Sequence, residues 1–222
     1  MKIKKRVEAH GLQIGVALLP QDTGSQHWNI RLGRPEREQE IKDVCRSIKI
    51  LGEEGIPVVE YVFNLCEAWG SESRPSARGG AITRHFDYDK AKQAPSKPGF
   101  EASAEEVWER ITYFLESIVP VAEGVGVKLA CHPDDPPVPM LRGETRVLGS
   151  LEGMKRLIDI VPSKANGLNF CQGTVAEMGV DVIEAIRYFG SRGKIHHVHF
   201  RNVRGSIPRF DESFIDDGDV DM

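Results

Sequence analysis

The stretch VGVKLACHPDDPP (125–137) decides how the chain is read. Its first half, GVKLAC (126–131), is a short apolar run that reads as a strand, and the run stops abruptly at His132 and a loop holding Pro133, Pro136 and Pro137. Side chains alternate across a strand, so Val127, Leu129 and Cys131 share one face and Lys128, Ala130 and His132 the other. An apolar face lies under helices, and a polar residue at the C-terminal end of the other face looks into a barrel mouth. The prolines restrict the backbone behind His132 and stiffen its support. On the opposite face, Cys131 reads as core.

The same division recurs outward from this strand. In LNFC (168–171), Leu168 and Phe170 oppose Asn169 and Cys171; in IHHVHFRN (195–202), His196, Val198 and Phe200 oppose His197, His199 and Arg201. In IPVVEYVFN (56–64), Val59, Tyr61 and Phe63 oppose Val58, Glu60, Val62 and Asn64, while LQIGVALLP (12–20) is a further apolar strand closed by proline. Helical signals alternate with these runs. Residues 35–55 place Ile41, Val44, Cys45, Ile48 and Leu51 on one face, and a capping box, Ser103 with Glu106, opens a helix through Val119. Shorter helices are expected over 150–160 and from Asp181 to Gly193.

Strand–helix alternation argues for a parallel sheet, either doubly wound or a (β/α)8 barrel. The doubly wound fold would carry a glycine-rich phosphate turn after its first strand, and none is present. A partial TIM barrel, α/β with parallel strands and outer helices, is therefore expected as one domain over 1–222. Residues 65–100 lack periodicity and hold several glycines and prolines, so they read as a long active-site loop, and 203–222 as a C-terminal tail.

Composition bounds the function. A formal net charge of −4 gives no basic field for nucleic acid, and no run approaches the length of a membrane helix. The first residues lack a signal-peptide cleavage pattern, and Cys45, Cys66, Cys131 and Cys171 form no CxxC pair, so reduced thiols and a cytoplasmic location are expected.

The polar positions converge on Glu60, Asn64, Lys128, His132, Asn169, Cys171, His197, His199 and Arg201. His132, Cys171 and His199 are spaced by 39 and 28 residues, each near one βα unit. Two imidazoles and a thiolate suit a divalent transition metal such as zinc or iron, with other positions open to oxygen ligands. The same groups also suit ordinary hydrogen-bonded histidines and a buried thiol.

HPDDPP (132–137), NFCQGT (169–174) and HVHFRN (197–202), with RGGA (78–81), FDYD (86–89) and FIDDGDVDM at 214–222, resemble the mannonate dehydratase family. The resemblance implies a xylose-isomerase-like TIM barrel and a cytoplasmic homodimer. It also implies Mn²⁺ or Fe²⁺ as cofactor and dehydration of D-mannonate to 2-keto-3-deoxy-D-gluconate in hexuronate breakdown. It places metal ligands at His132, Cys171 and His199. Arg201 then pairs with the substrate carboxylate or makes a strand-end salt bridge, and Arg78 binds substrate on loop closure or remains a solvated charge. His197 serves proton transfer or hydrogen-bonds within the barrel, and Asn64 and Asn169 are further substrate-binding candidates. The similarity starts after the family's first βα unit and ends before a fourth, aspartate ligand and its neighbouring histidine, so activity of this chain alone is an open expectation. A metal-dependent sugar isomerase or epimerase on the same barrel, or a non-catalytic sugar-acid-binding fragment, are the alternatives.

Overall fold

Five strands form one parallel sheet, and each enters it from a helix or loop on the same side. The computed structural model describes residues 2–21, 24, 25, 27–65, 72–75 and 77–222, with the backbone alone at 72–75. Cys66 lies outside the described residues. In chain order the strands are β1 (Val16–Leu18), β2 (Val58–Tyr61), β3 (Glu72–Pro75), β4 (Ile82–Asp87), β5 (Lys128–Cys131), β6 (Met140–Leu141), β7 (Glu144–Thr145), β8 (Asn166–Cys171), β9 (Ile195–His199), β10 (Asn202–Ser206) and β11 (Arg209–Ser213). The helices are α1 (Lys2–Glu8), α2 (Trp28–Leu32), α3 (Arg37–Glu53), α4 (Tyr88–Ala91), α5 (Ala104–Gly124), α6 (Leu151–Ile160), α7 (Gln172–Glu177) and α8 (Val182–Gly190).

The parallel sheet runs β1-β2-β5-β8-β9, the order of a partial barrel. Its outer face carries the core: Tyr61, Leu129, Cys131, Leu168 and Phe170 pack with Val44 and Ile48 of α3, Phe114 and Ile118 of α5, Leu157 of α6 and Phe189 of α8. Cys131 is thus core, as its strand parity requires. The longest helix begins as its sequence dictates: Ser103 accepts from the Glu106 amide while the Glu106 carboxylate accepts from the Ser103 amide. None of the helices among the described residues is long and apolar enough to cross a membrane.

Three features depart from the sequence reading. First, β9 carries a bulge: Leu168 pairs with Ile195, but Asn169 pairs with His197, leaving His196 as the extra residue. Simple alternation fails there. His196 instead reaches across β8 to the Leu129 carbonyl at 2.7 Å, through space that a Cβ at Gly167 would fill. Val198 and Phe200, expected beneath helices, are exposed because β9 is an edge of its sheet.

Second, the segment 65–100 is not wholly loop, and 203–222 is not simply a tail. β3 and β4 pair with each other, and β4 pairs with the β10–β11 hairpin, making a four-stranded antiparallel sheet. Phe86, Phe210, Val138 and Leu141 form its small core. The strand sequences ESRP and ITRHFD carry too few apolar residues for a period of two to be legible. Third, a short helix that the sequence reading did not include, α7, starts directly at the end of β8, so Cys171 stands at a strand-to-helix junction.

Candidate metal centre

The C-terminal ends of β5, β8 and β9 deliver His132, Cys171 and His199 to one point. One ligand atom from each lies within 4.8 Å of the others. The two imidazole rings are 5.0 Å apart, centroid to centroid. A second group, Glu60, His197 and His199, meets the same distance condition and shares His199 with the first. These positions converge because β2, β5, β8 and β9 are neighbours or near neighbours in one parallel sheet, and the β9 bulge aligns His197 with Asn169 and His199 with Cys171.

Each donor is oriented by another group. His132 Nδ1 lies 2.6 Å from the Pro133 carbonyl and donates to it, which leaves Nε2 as the ring atom available to a metal ion. The buried Glu60 carboxylate accepts from Asn169 Nδ2 at 2.7 Å and lies 3.1 Å from His197 Nδ1 and 3.6 Å from His199 Nε2. Asn169 Nδ2 is also 3.0 Å from His199 Nε2. That amide hydrogen serves the ring once His199 is neutral; an imidazolium instead directs its own proton at Glu60.

The electrostatics match a charged cluster. Burial pushes the Cys171 thiol up, but hydrogen bonds with His132 and His199 and the charge of Arg201 overcome it and hold the thiol well below its ordinary range. The bond to Cys171 and the Glu60 carboxylate raise His199 to about 9. Burial opposes charge on His132, yet its bond with Cys171 leaves it above the ordinary value. Burial likewise opposes charge on Glu60, and bonds to His199 and Asn169 prevail, lowering it. A thiolate beside two imidazoles, with a carboxylate behind them, fits a divalent cation that replaces the imidazole protons.

The other expected site residues are placed differently. Arg201 is partly buried, and its guanidinium is committed: Nη2 is 2.8 Å from Asp135 and 3.6 Å from Cys171 Sγ, and Nη1 is 2.8 Å from Glu177. Arg78 is exposed and holds Asp216 through both terminal nitrogens at 2.8 Å. Asn64 stands past the end of β2, its main-chain carbonyl accepting from Arg31 at 2.5 Å. Lys128 begins β5 and is exposed at the far end from the cluster. The sequence reading gave Glu60 less weight than its central place warrants; its inward parity on β2 was the available signal. Glu177 was missed, since a carboxylate on an unrecognised helix gives no signal in the sequence.

A parallel barrel segment whose strand ends gather imidazoles, a thiolate and a carboxylate defines a xylose-isomerase-like TIM-barrel protein. A D-tagatose 3-epimerase-like protein shares the fold, with a TM-score of 0.58 at 16% identity over 93% of this chain and 62% of that one. The sequence profile for D-mannonate dehydratase (UxuA) matches residues 99–222. Mannonate dehydratase 2 of Halalkalibacterium halodurans is 32% identical over 96% of this chain and 68% of its own length. Mannonate dehydratase of Streptococcus agalactiae serotype V is 33% identical, over 96% and 67%. The crystal structure of mannonate dehydratase from Streptococcus suis serotype 2 superposes with a TM-score of 0.89 at 32% identity, covering all of this chain and 64% of that one. The chain belongs to the mannonate dehydratase family, and it spans about two thirds of the length of these relatives.

Proposed function

We propose that His132, Cys171 and His199 hold Mn²⁺ or Fe²⁺ and that the protein dehydrates D-mannonate to 2-keto-3-deoxy-D-gluconate and water, a step of hexuronate catabolism. The observation that carries this reading is the convergence of those three donors within 4.8 Å at strand ends of a mannonate dehydratase family member. A mixed nitrogen–sulfur set with an adjacent carboxylate suits these ions when oxygen donors complete the shell. When bound, the cation supplies Lewis-acid stabilisation of the negative charge that builds on the substrate carboxylate as the neighbouring C–H proton leaves.

The chain's own residues do the rest. Glu60 holds His197 through Nδ1, so Nε2 of this partly exposed ring is the atom that takes or gives a proton at the barrel mouth. Asn169 keeps Glu60 and His199 in register through Nδ2, and its buried Oδ1, which has no hydrogen-bond partner among the described residues, is the atom left for a substrate hydroxyl. Arg78 exchanges Asp216 for the substrate carboxylate, which its exposure permits, and Asn64 contributes from the β2 end. Free Cys45, Cys131 and Cys171 support a cytoplasmic setting. Exposed Leu18 on β1 and Val198 on β9, both on edge strands, support assembly as a homodimer. The isomerase or epimerase alternative has only fold likeness behind it.

The test pairs metal content with product formation. Protein loaded with Mn²⁺ is expected to form the 2-keto-3-deoxy acid from D-mannonate, and Cys171→Ala and His199→Ala are expected to lose bound metal. Unchanged metal occupancy in both variants would remove the ligand set, and absence of the keto acid at full occupancy, in a version extended to the full length of the mannonate dehydratases it matches, would remove the substrate.

A further inference from the structure

Arg201 lies at the end of β9 beside the proposed ligands, yet its surroundings are unlike those of a substrate clamp. Its side chain is only 18% exposed, and Asp135 and Glu177 flank the guanidinium at 2.8 Å each. Thr174 Oγ1 accepts from Nη2 at 3.0 Å and itself donates to Asp135 Oδ2 at 3.1 Å. Glycine at position 173 leaves room for the side chain, since a Cβ there would sit 2.7 Å from Arg201 Nε. The guanidinium is therefore fixed from several sides. The two hydrogens of Nη2 are shared among Asp135, Thr174 and Cys171 Sγ, the sulfur lying 3.6 Å away.

We infer that Arg201 is a positioning residue: anchored by Asp135 and Glu177, it directs an N–H···S bond at Cys171 that aims the thiolate and weakens it as a metal donor. The inference rests on the metal-site reading above. A cationic N–H draws electron density from the sulfur lone pairs. Thiolate ligands select soft or borderline metals, so a sulfur weakened in this way tilts the site toward harder divalent ions and away from zinc. Partners that touch a ligand rather than the metal commonly change metal affinity by about 10- to 100-fold. An ion pair serving only to join β9 to α7 would brace the fold equally well, but it would not touch the sulfur's electronics. The expected consequence is therefore spectroscopic as well as structural.

The experiment uses Co²⁺ as probe, reading its thiolate-to-metal charge-transfer band, together with competition between Zn²⁺ and Mn²⁺. In Arg201→Met the band is expected to move to lower energy, and the preference for Zn²⁺ over Mn²⁺ to rise by about tenfold or more. Arg201→Lys keeps the charge without the planar fork, so its band should fall between those of the wild type and the Met variant. If Arg201→Met binds Co²⁺ with the wild-type band and metal preference while its melting temperature falls, Arg201 is a structural ion pair and the inference is overturned. Should the Met variant not fold, the Lys variant decides: a band and metal preference identical to wild type overturn the inference equally. A wild-type protein without any thiolate band removes Cys171 as ligand, and this inference with it; a wild-type band that Arg201 does not influence removes the inference alone.

Discussion

The Asn169 side chain donates to Glu60 Oε1 at 2.7 Å across β5, the strand that separates β8 from β2. This bond joins two buried residues, and the carboxylate it fixes is the one that faces both His197 and His199. Replacing Asn169 by Leu keeps the branching and the number of heavy atoms, with bulkier methyl ends, and leaves a buried carboxylate short of one donor. The expected cost is about 1–3 kcal/mol in denaturant unfolding. In a double-mutant cycle with Glu60→Gln, a coupling energy above about 0.5 kcal/mol would show that the two residues act together. Simple additivity would mean that the amide bond contributes little to the arrangement.

That bond also marks the limit of what the chain reveals unaided. Strand parity in GVKLACH and LNFC places His132, Asn169 and Cys171 on the inner face, because a period of two is kept wherever one side of the sheet lies under helices. On β9 the inward set is still His197 and His199, yet the bulge at His196 breaks the alternation, and no local residue announces it. The antiparallel sheet built from β3, β4, β10 and β11 is invisible for a different reason: its core draws on distant Phe86, Val138, Leu141 and Phe210, and its strands are mostly polar. Arg201 shows the same gap at the level of a single residue. Parity marks it as inward, but only tertiary packing brings Asp135 and Glu177 onto its guanidinium.

Gly153 in the first turn of α6 offers a test of packing against propensity. In an exposed helix, glycine to alanine stabilises by about 1 kcal/mol. Here an added Cβ would overlap the Val147 carbonyl oxygen and press on the Leu148 backbone, neither of which can rotate away. Gly153 is buried, and the amide of Leu148 is already held by Asp134 at 2.7 Å. Overpacking costs about 1–3 kcal/mol and should outweigh the gain in propensity. Gly153→Ala is therefore expected to lower the urea midpoint at unchanged m; a raised midpoint would show that the turn before α6 yields easily.

His27 makes the stability of the fold pH-dependent away from the metal centre. Its ring is fully buried, stacks on Phe114 with centroids 6.2 Å apart, and lies 3.2 Å from the Val62 carbonyl through Nε2. Burial, aided by the nearby Arg31 charge and only partly opposed by the Val62 bond, lowers its pKa from 6.5 to about 3. The folded state thus keeps His27 neutral while the unfolded chain takes up a proton below about pH 6.5. Its stabilising contribution is complete above that value and is lost progressively as the pH falls toward about 3. Between pH 6.5 and 5 the loss is about 2 kcal/mol, from about 1.4 kcal/mol for each pH unit. His27→Gln retains a donor for the Val62 carbonyl but cannot titrate, so its unfolding free energy should fall less steeply over this interval, by about that slope. Parallel pH profiles for the wild type and His27→Gln would mean that the imidazole charges in the folded protein, by opening the packing between α2 and α5.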